Sequence, residues 1–302
     1  DPQDPPSSPP RPPPAPLVST KAGVLAPRHD RFLSTTTDVG DRPAFANRRR
    51  ANDDANDAPR DDWWVEDFTL AELKTLRARQ PFPGRAKAFD GLYGIATFAE
   101  VLALASAEAA RRGRPVGVYP ETKHPSFFAS IGHDFAAPLL EALEGFDAGP
   151  VFIQSFEPEI LKRLQGKTSA KLVQLVYETS PGAGPNIPLD EIATYADGVG
   201  PAKNLILRAD GDLSGLVKEA HATGLAVHPW TFRDDQKNER VEKMFAHMRS
   251  EHGSGAVAVG APYVALNPEW PGEIGVATDS GFEYLIFFTQ GVDGVFTDFP
   301  DT

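Results

Sequence analysis

Cysteine is absent from this chain of 302 residues, and that absence excludes several kinds of site at once. Without a thiol there is no disulfide framework, no cysteine nucleophile, no iron–sulfur cluster and no cysteine-ligated zinc. Basic residues are also few: 30 Lys and Arg against 42 Asp and Glu give a net charge of −12. Because a field of that sign repels a phosphate backbone, we expect no nucleic-acid partner.

Long apolar runs are missing as well. No segment approaches the roughly 20 apolar residues that a membrane span requires, so the sequence predicts no transmembrane segment. Apolar residues still make up 41% of the chain, which is ample for a packed core. A small anionic substrate remains compatible with the negative charge, because a local cationic site with a bound metal can outweigh the net field.

Proline is abundant at the start, where it accounts for nine of residues 1–16. Proline removes backbone donors and favours an extended conformation, and this segment has little apolar surface to bury. Residues 1–16 are therefore predicted to be a disordered leader. A ligand for a proline-binding domain, through Pro9, Pro10 and residues 12–14, is the alternative interpretation. The rest, residues 17–302, is predicted as one domain with a small insertion at about 30–94.

Residues 48–62 form a second stretch with little to bury. Arg48, Arg49 and Arg50 precede five aspartates and hardly any apolar residues, which predicts a mobile, solvated loop. The arginine triplet could instead form a phosphate patch, although the acidic residues just after it favour a surface loop.

Two capping boxes predict helix starts, at Thr69 with Glu72 and at Thr97 with Glu100. Later in the chain, short apolar runs alternate with helical patterns. The predicted strands are 116–119, 151–154, 172–177, 198–200, 225–230 and 294–297, and the predicted helices between them include 135–143, 158–164, 213–222 and 282–290. Many βα units in an α/β chain of this length favour a (β/α) barrel over a doubly wound sheet, since no glycine-rich nucleotide loop follows any strand.

Barrel enzymes place their active-site residues where the strands end, so polar residues after apolar runs are the candidates. Glu121 and Lys123 follow one predicted strand and, two residues apart in an extended segment, point to the same face. A carboxylate that holds a hard cation beside an ammonium that meets a phosphate oxygen suits phosphodiester chemistry. The alternative interpretation is a salt bridge at the barrel rim.

His29 ends another apolar run and is a candidate general acid or base. Three more polar or aromatic residues close predicted strands and could line a substrate pocket, namely Gln154, Glu178 and Trp230. Packing explains Trp230 equally well, and an amide such as Gln154 orients neighbours more readily than it reacts.

Four ordered motifs, VYPETKHP at 118–125, FIQSF at 152–156, HPWTFR at 228–233 and GVDGVFTDFP at 291–300, resemble the glycerophosphodiester phosphodiesterase family. Residues 17–30 are similar to that family's second strand and catalytic histidine segment. The resemblance implies a TIM barrel that hydrolyses glycerophosphodiesters to glycerol 3-phosphate and an alcohol. It also implies a Ca²⁺ or Mg²⁺ ion held by three carboxylates, and it slightly favours a secreted or periplasmic location.

Within that resemblance, Glu121 matches the third metal carboxylate, Lys123 the phosphate-contacting lysine, and His29 the histidine that protonates the leaving group. The family's first strand, which ends in His-Arg-Gly, has no match before Leu17. Its E-x-D pair of metal ligands aligns with Pro14, Ala15 and Pro16. The barrel is therefore expected to be incomplete at its N-terminus, with weak metal binding and little activity.

Three hypotheses follow from these residues. The first is a metal-dependent glycerophosphodiester phosphodiesterase acting on a small-molecule substrate. The second is an inactive barrel that binds a phosphodiester or a protein partner, and the third is a related lipid phosphodiesterase. The sequence leaves the head-group preference and the oligomeric state open.

Overall fold

A computed structural model of the protein describes residues 14–54, 58–235, 243 and 279–298. Where the sequence predicts one domain, contacts divide the described residues into two compact units, one ending at Lys171 and one beginning at Leu172. Among the helices within these ranges, none is both long enough and apolar enough to cross a membrane.

The strands of the first unit build one mixed sheet and one small hairpin. They are β1 (Pro14–Ser19), β2 (Leu25–Pro27), β3 (Arg50–Ala51), β4 (Asp61–Asp62), β5 (Tyr119–Thr122) and β6 (Phe152–Ser155). β1 lies between β2, to which it is antiparallel, and β5, to which it is parallel, and β5 pairs in parallel with β6. β3 and β4 form the separate antiparallel hairpin.

The helices of the first unit are α1 (Leu70–Leu73), α2 (Phe98–Arg112), α3 (Pro125–Ser130), α4 (Ala136–Leu143) and α5 (Pro158–Leu164). Both predicted capping boxes are confirmed: the hydroxyls of Thr69 and Thr97 accept from the amides of Glu72 and Glu100, whose side chains accept in return. α2 ends at Gly113, whose left-handed φ of 63° is accessible to glycine at no steric cost.

The second unit contains the parallel strands β7 (Lys171–Val176), β8 (Gly198–Pro201) and β9 (Ala226–Val227), paired in that order. Its helices are α6 (Leu189–Ile192), α7 (Leu216–Ala222) and α8 (Asp279–Thr289). Consecutive buried residues in β7 explain why its sequence is an apolar run: both faces of the strand are covered.

The predicted leader is wrong at its C-terminal end, because Pro14 and Pro16 belong to β1. The carbonyl of Pro16 accepts from the amide of Arg28, whereas the carbonyl of Leu17 accepts from the amide of Lys123 in the segment after β5. Successive residues of a strand direct their backbone groups to opposite sides. The position of the N–H that each proline lacks is therefore on the side away from β5, and no hydrogen bond between β1 and β5 is lost. Residues 1–13 lie outside the described residues.

The predicted solvated loop at 48–62 is also wrong for the part of it that the structure describes, 48–54 and 58–62. That part contains the β3–β4 hairpin, and two of its arginines have carboxylate partners downstream. Arg48 lies 2.5 Å from Glu72, and Nε of Arg50 lies 2.7 Å from Oδ2 of Asp67. Local composition could not reveal counter-ions that come from later in the chain.

Several predicted elements differ from the observed bounds, β5, α7 and the last predicted strand among them. β5 runs through Glu121 to Thr122, so Glu121 lies inside the strand and not after it. α7 begins three residues later than predicted, at Leu216, because Ser214 donates to the carbonyl of Leu205 and Leu207 forms a bridge with Leu213. Residues 294–297 contribute a single bridge, between Phe232 and Thr297, and no strand is assigned to them.

Candidate active site

Three neighbouring strands of the first unit bring Pro16, Glu121 and Gln154 into one row. Pro16 of β1 is in register with Glu121 of β5, and Glu121 is in register with Gln154 of β6. Residues in register on parallel strands point to the same face of the sheet. The rings of Tyr119 and Phe152, one pair earlier on that face, lie 5.0 Å apart and confirm the alignment.

Glu121 and Lys123 form an ion pair on this face. Oε1 of Glu121 lies 2.8 Å from Nζ of Lys123, and the two side chains are 7% and 12% exposed. Burial of both groups makes this attraction stronger than that of an exposed rim pair, because less water screens it. The pair therefore fixes the ammonium at the end of β5.

His29 lies beside this pair, just beyond β2. Its Nε2 is 3.5 Å from Nζ of Lys123, and its Nδ1 is 2.8 Å from Oδ1 of Asp30. The pKa of Asp30 is lowered: burial raises it, but the hydrogen bond with His29 and the charges of His29, Lys123 and Arg28 outweigh burial. Asp30 is thus a carboxylate at neutral pH and orients the imidazole, whose ring is largely exposed.

The sequence-predicted residues of the first unit are therefore together: His29, Glu121, Lys123 and Gln154. Glu178 and Trp230 belong to the second unit. There, Glu178 accepts a 2.6 Å hydrogen bond from Nδ2 of Asn204 and borders a cavity of about 120 Å³. Nε1 of Trp230 donates to the carbonyl of Gly200 at 2.8 Å, which ties the indole to β8.

The sequence did not indicate one contact that supports this site, the contact between the side chains of Asp54 and His124. His124 follows Lys123 directly and has a left-handed backbone, with φ 48° and ψ 45°. Its Nδ1 lies 3.1 Å from Oδ2 of Asp54, a buried carboxylate from the stretch that the sequence assigns to a loop. Only the three-dimensional proximity of residues 70 positions apart could have indicated the contact.

Arg31 anchors the same support from within the core. Its side chain is fully buried, and its guanidinium lies 2.5 Å from Glu66, 3.2 Å from Asp53 and 3.5 Å from Asp54. The guanidinium also lies over the ring of Phe127 in α3, 3.5 Å from the centroid. Burial raises the pKa of Glu66 despite the hydrogen bond from Arg31.

The residues of this site do not fit the divalent cation that the resemblance implies. Where two further carboxylates would be needed, β1 presents Pro14 and Pro16, and Pro16 is the residue in register with Glu121. The oxygen that Glu121 could offer is already paired with an ammonium. Among the described residues, no group of three or more His, Asp or Glu side chains could hold a metal ion.

Comparison with known proteins identifies the family. The family model for the glycerophosphoryl diester phosphodiesterase family matches residues 17–248. Glycerophosphodiester phosphodiesterase GDPD6 of Arabidopsis thaliana is 30% identical over 313 aligned residues, covering 94% of this chain and 74% of its own. A glycerophosphodiester phosphodiesterase of Haemophilus influenzae is 27% identical, covering 95% of this chain and 79% of its own.

Solved structures agree on the fold. A glycerophosphoryl diester phosphodiesterase of Silicibacter pomeroyi has a TM-score of 0.58 at 18% identity, covering 95% of this chain and 80% of that one. An Oleispira antarctica phosphodiesterase, solved in complex with the product sn-glycerol-3-phosphate, has a TM-score of 0.55 at 15% identity, covering 95% and 81%. These likenesses confirm the predicted α/β fold class of the TIM (β/α) barrel. The chain belongs to the glycerophosphoryl diester phosphodiesterase family.

Proposed function

We propose that the chain binds the phosphate group of a glycerophosphodiester at Lys123 and His29 and hydrolyses the diester slowly to glycerol 3-phosphate and an alcohol. The observation that carries this proposal is the 3.5 Å separation between Nε2 of His29 and Nζ of Lys123. Two groups that can each donate a proton to a phosphate oxygen converge there, which is an anion-binding arrangement.

Each side chain has a separate role in this proposal. Lys123, held by Glu121, neutralises charge on the phosphate as it develops in the transition state. Water attacks the phosphorus and gives up a proton to solvent, while His29, oriented by Asp30, delivers a proton from Nε2 to the oxygen of the breaking P–O bond, so that the alcohol leaves in place of a poor alkoxide leaving group. Slow turnover is expected because the described residues of this site do not fit a divalent cation. Glu178 and Trp230 stay predictions as substrate contacts.

The test is the release of glycerol 3-phosphate from glycerophosphocholine by the full chain and its variants. We expect slow release by the natural sequence and at least a tenfold loss in His29→Ala and Lys123→Met. His221→Ala is the matched control, since Nε2 of His221 contacts Asp293 in the second unit. Equal rates in His29→Ala and the natural sequence would contradict the assigned role of His29.

A second candidate is an inactive barrel that binds the phosphodiester without hydrolysing it. It is favoured by one observation, that Pro16 and not a carboxylate is in register with Glu121. In that case calorimetry detects glycerophosphocholine binding while no product accumulates. The double variant Pro14→Glu/Pro16→Asp should then gain both calcium binding, measured by calorimetry, and chelator-sensitive product release.

A further inference from the structure

An apolar cluster of four side chains, Phe82, Phe89, Leu92 and Tyr93, projects from an irregular loop of the first unit, residues 78–93. Phe89, Leu92 and Tyr93 are 63%, 65% and 62% exposed, and Phe82 is 36% exposed. The rings of Phe89 and Tyr93 lie 6.1 Å apart. Large apolar side chains scattered singly on a surface are ordinary, whereas a cluster of this kind indicates a surface that meets a partner.

Hydrogen bonds across the loop fix its shape. The amide of Ala78 donates to the carbonyl of Tyr93 at 2.8 Å, and the amide of Gly91 donates to the carbonyl of Ala78 at 2.9 Å. Nearer the tip, the amide of Gln80 donates to Oδ1 of Asp90 at 2.8 Å. A loop whose ends meet in this way is an Ω-loop, a class of loop that is frequently functional. An ordered backbone therefore holds the apolar cluster outward.

The charge around the apolar cluster is opposite in sign to that of the chain. Residues 74–94 contain five Lys and Arg residues and one aspartate, in a chain of net charge −12. Lys74 is paired with Glu100 and Arg79 with Asp41, which still leaves more bases than acids in this stretch. Because charges farther away than about 10 Å are largely screened at 0.1 M salt, an approaching surface meets this local positive charge.

Arg85 and Lys87 place that charge beside the apolar cluster. The guanidinium of Arg85 lies 4.3 Å from the ring centroid of Phe82, and Lys87 is exposed two residues before Phe89. Aromatic and aliphatic side chains beside Lys and Arg are typical of segments that lie at a membrane surface, where the apolar tips enter the bilayer and the cations meet lipid phosphates. A second copy of this chain would bring the same positive charge against the loop, which disfavours a dimer through it.

We propose that residues 78–93 form a membrane-docking loop, which inserts the apolar cluster into the headgroup region of an anionic lipid bilayer while Arg85 and Lys87 contact lipid phosphates. Such an association is peripheral and requires no membrane-spanning helix. A bilayer accepts apolar tips anywhere along its plane, so the loop needs no groove of matching shape. This inference is independent of the proposed function, because the loop contributes no residue to the candidate active site.

The first test is cosedimentation of the full chain with two sets of vesicles, one of phosphatidylcholine and phosphatidylglycerol in equal parts and one of phosphatidylcholine alone. We expect roughly tenfold tighter binding to the anionic set, the effect of about two cations near the surface, and weaker binding as salt is added. Arg85→Gln/Lys87→Gln should remove most of that preference. Arg111→Gln/Arg112→Gln removes the same charge at the exposed end of α2 and, as the matched control, should keep it.

A fluorescent probe locates the contact. Because the chain has no cysteine, an environment-sensitive dye attached through Leu92→Cys reports on the loop alone. We expect its emission to shift to the blue on anionic vesicles. The dye attached through Leu104→Cys is the control and should not shift, since Leu104 is 62% exposed on α2, outside the loop. Each probe needs a single surface substitution, so this readout stands even if a double variant does not fold.

Three outcomes would overturn the proposal. The first is that the natural chain sediments with neither set of vesicles. The second is that Phe89→Ser/Leu92→Ser binds anionic vesicles as tightly as the natural chain, because another part of the chain then makes the contact. The third is a natural chain that is a dimer in solution and becomes a monomer in Phe89→Ser/Leu92→Ser, with no blue shift on vesicles, which assigns the apolar cluster to a second copy.

Discussion

Nδ1 of His124 lies 3.1 Å from Oδ2 of Asp54, which joins the segment carrying Lys123 to a part of the chain 70 residues earlier. The same carboxylate oxygen lies 3.5 Å from Nη1 of Arg31. His124 is the N-cap of α3, and its carbonyl accepts from the amide of Phe128. Asp54 is therefore a shared support for the end of β5 and the start of α3.

Asp54→Asn keeps the shape of this side chain and removes its charge, so we expect a loss of about 1–2 kcal/mol in the free energy of unfolding. Urea denaturation measures the loss. Hydrogen exchange should also accelerate at the amide of Phe128, because its acceptor is held less firmly. Asp61→Asn is the matched control, since the exposed Asp61 lies in the same stretch. An equal loss in both variants would contradict the role of the His124 contact.

Arg31→Met should be far more damaging than the loss of an exposed arginine. It removes the buried guanidinium from Glu66 and Asp54, which keep their contacts to Arg50 and His124, and it costs about 3–5 kcal/mol. Arg49→Met, at an exposed position nearby, should change the unfolding free energy by less than about 0.5 kcal/mol. Because the penalty comes from the loss of the buried counter-charge, Arg31→Met/Glu66→Met should recover part of it. A double variant less stable than Arg31→Met would contradict this explanation.

Arg48 makes Glu72 a source of pH-dependent stability. Its hydrogen bond lowers the pKa of Glu72 to about 2 from an ordinary 4.5. Since the folded value is the lower one, the carboxylate stabilises the fold above pH 4.5, and that contribution fades as the pH falls toward 2. Glu72→Gln should cost less than about 1 kcal/mol at pH 7, because water screens this partly exposed pair, and the difference should shrink at pH 3. A difference independent of pH would contradict the prediction.

Thr97→Ala should remove the N-cap of α2. The amide of Glu100 loses its acceptor, and we expect a loss of about 1 kcal/mol in the free energy of unfolding. Ser106→Ala, at an exposed position in the same helix, is the control and should be neutral or slightly stabilising. Thermal denaturation of the two variants should separate them, and matching melting temperatures would show that the cap contributes nothing.

Features that depend on residues close together in the chain could be predicted from the sequence. The caps at Thr69 and Thr97 depend on spacings of three, and the shared face of Glu121 and Lys123 depends on a spacing of two. Crossover helices and buried strands could be predicted for the same reason. β5 nevertheless extends farther than its apolar run, because Pro120 and Glu121 still pair with β1.

Features that depend on distant partners could not be predicted. Arg31 finds its carboxylates 22, 23 and 35 residues away, so the sequence around it contains no sign of a buried cation. The side-by-side positions of Glu121 and Gln154 are a consequence of strand register, which no local pattern specifies. Glu72, the partner of Arg48, and Asp67, a partner of Arg50, lie beyond the acidic run, although Asp53 within that run also pairs with Arg50.

The prolines of β1 have a consequence for association between chains. β2 pairs with β1 from Leu17 onward, and Pro14 and Pro16 direct carbonyl groups and no amide hydrogens away from β5; the carbonyl of Pro16 already accepts from the amide of Arg28. A strand from a neighbouring molecule would find no amide donor at either proline to complete a ladder, which disfavours edge-to-edge association there. Replacing Pro14 and Pro16 by carboxylate residues would restore those donors, and the added negative charges would then have to keep molecules apart in place of the prolines.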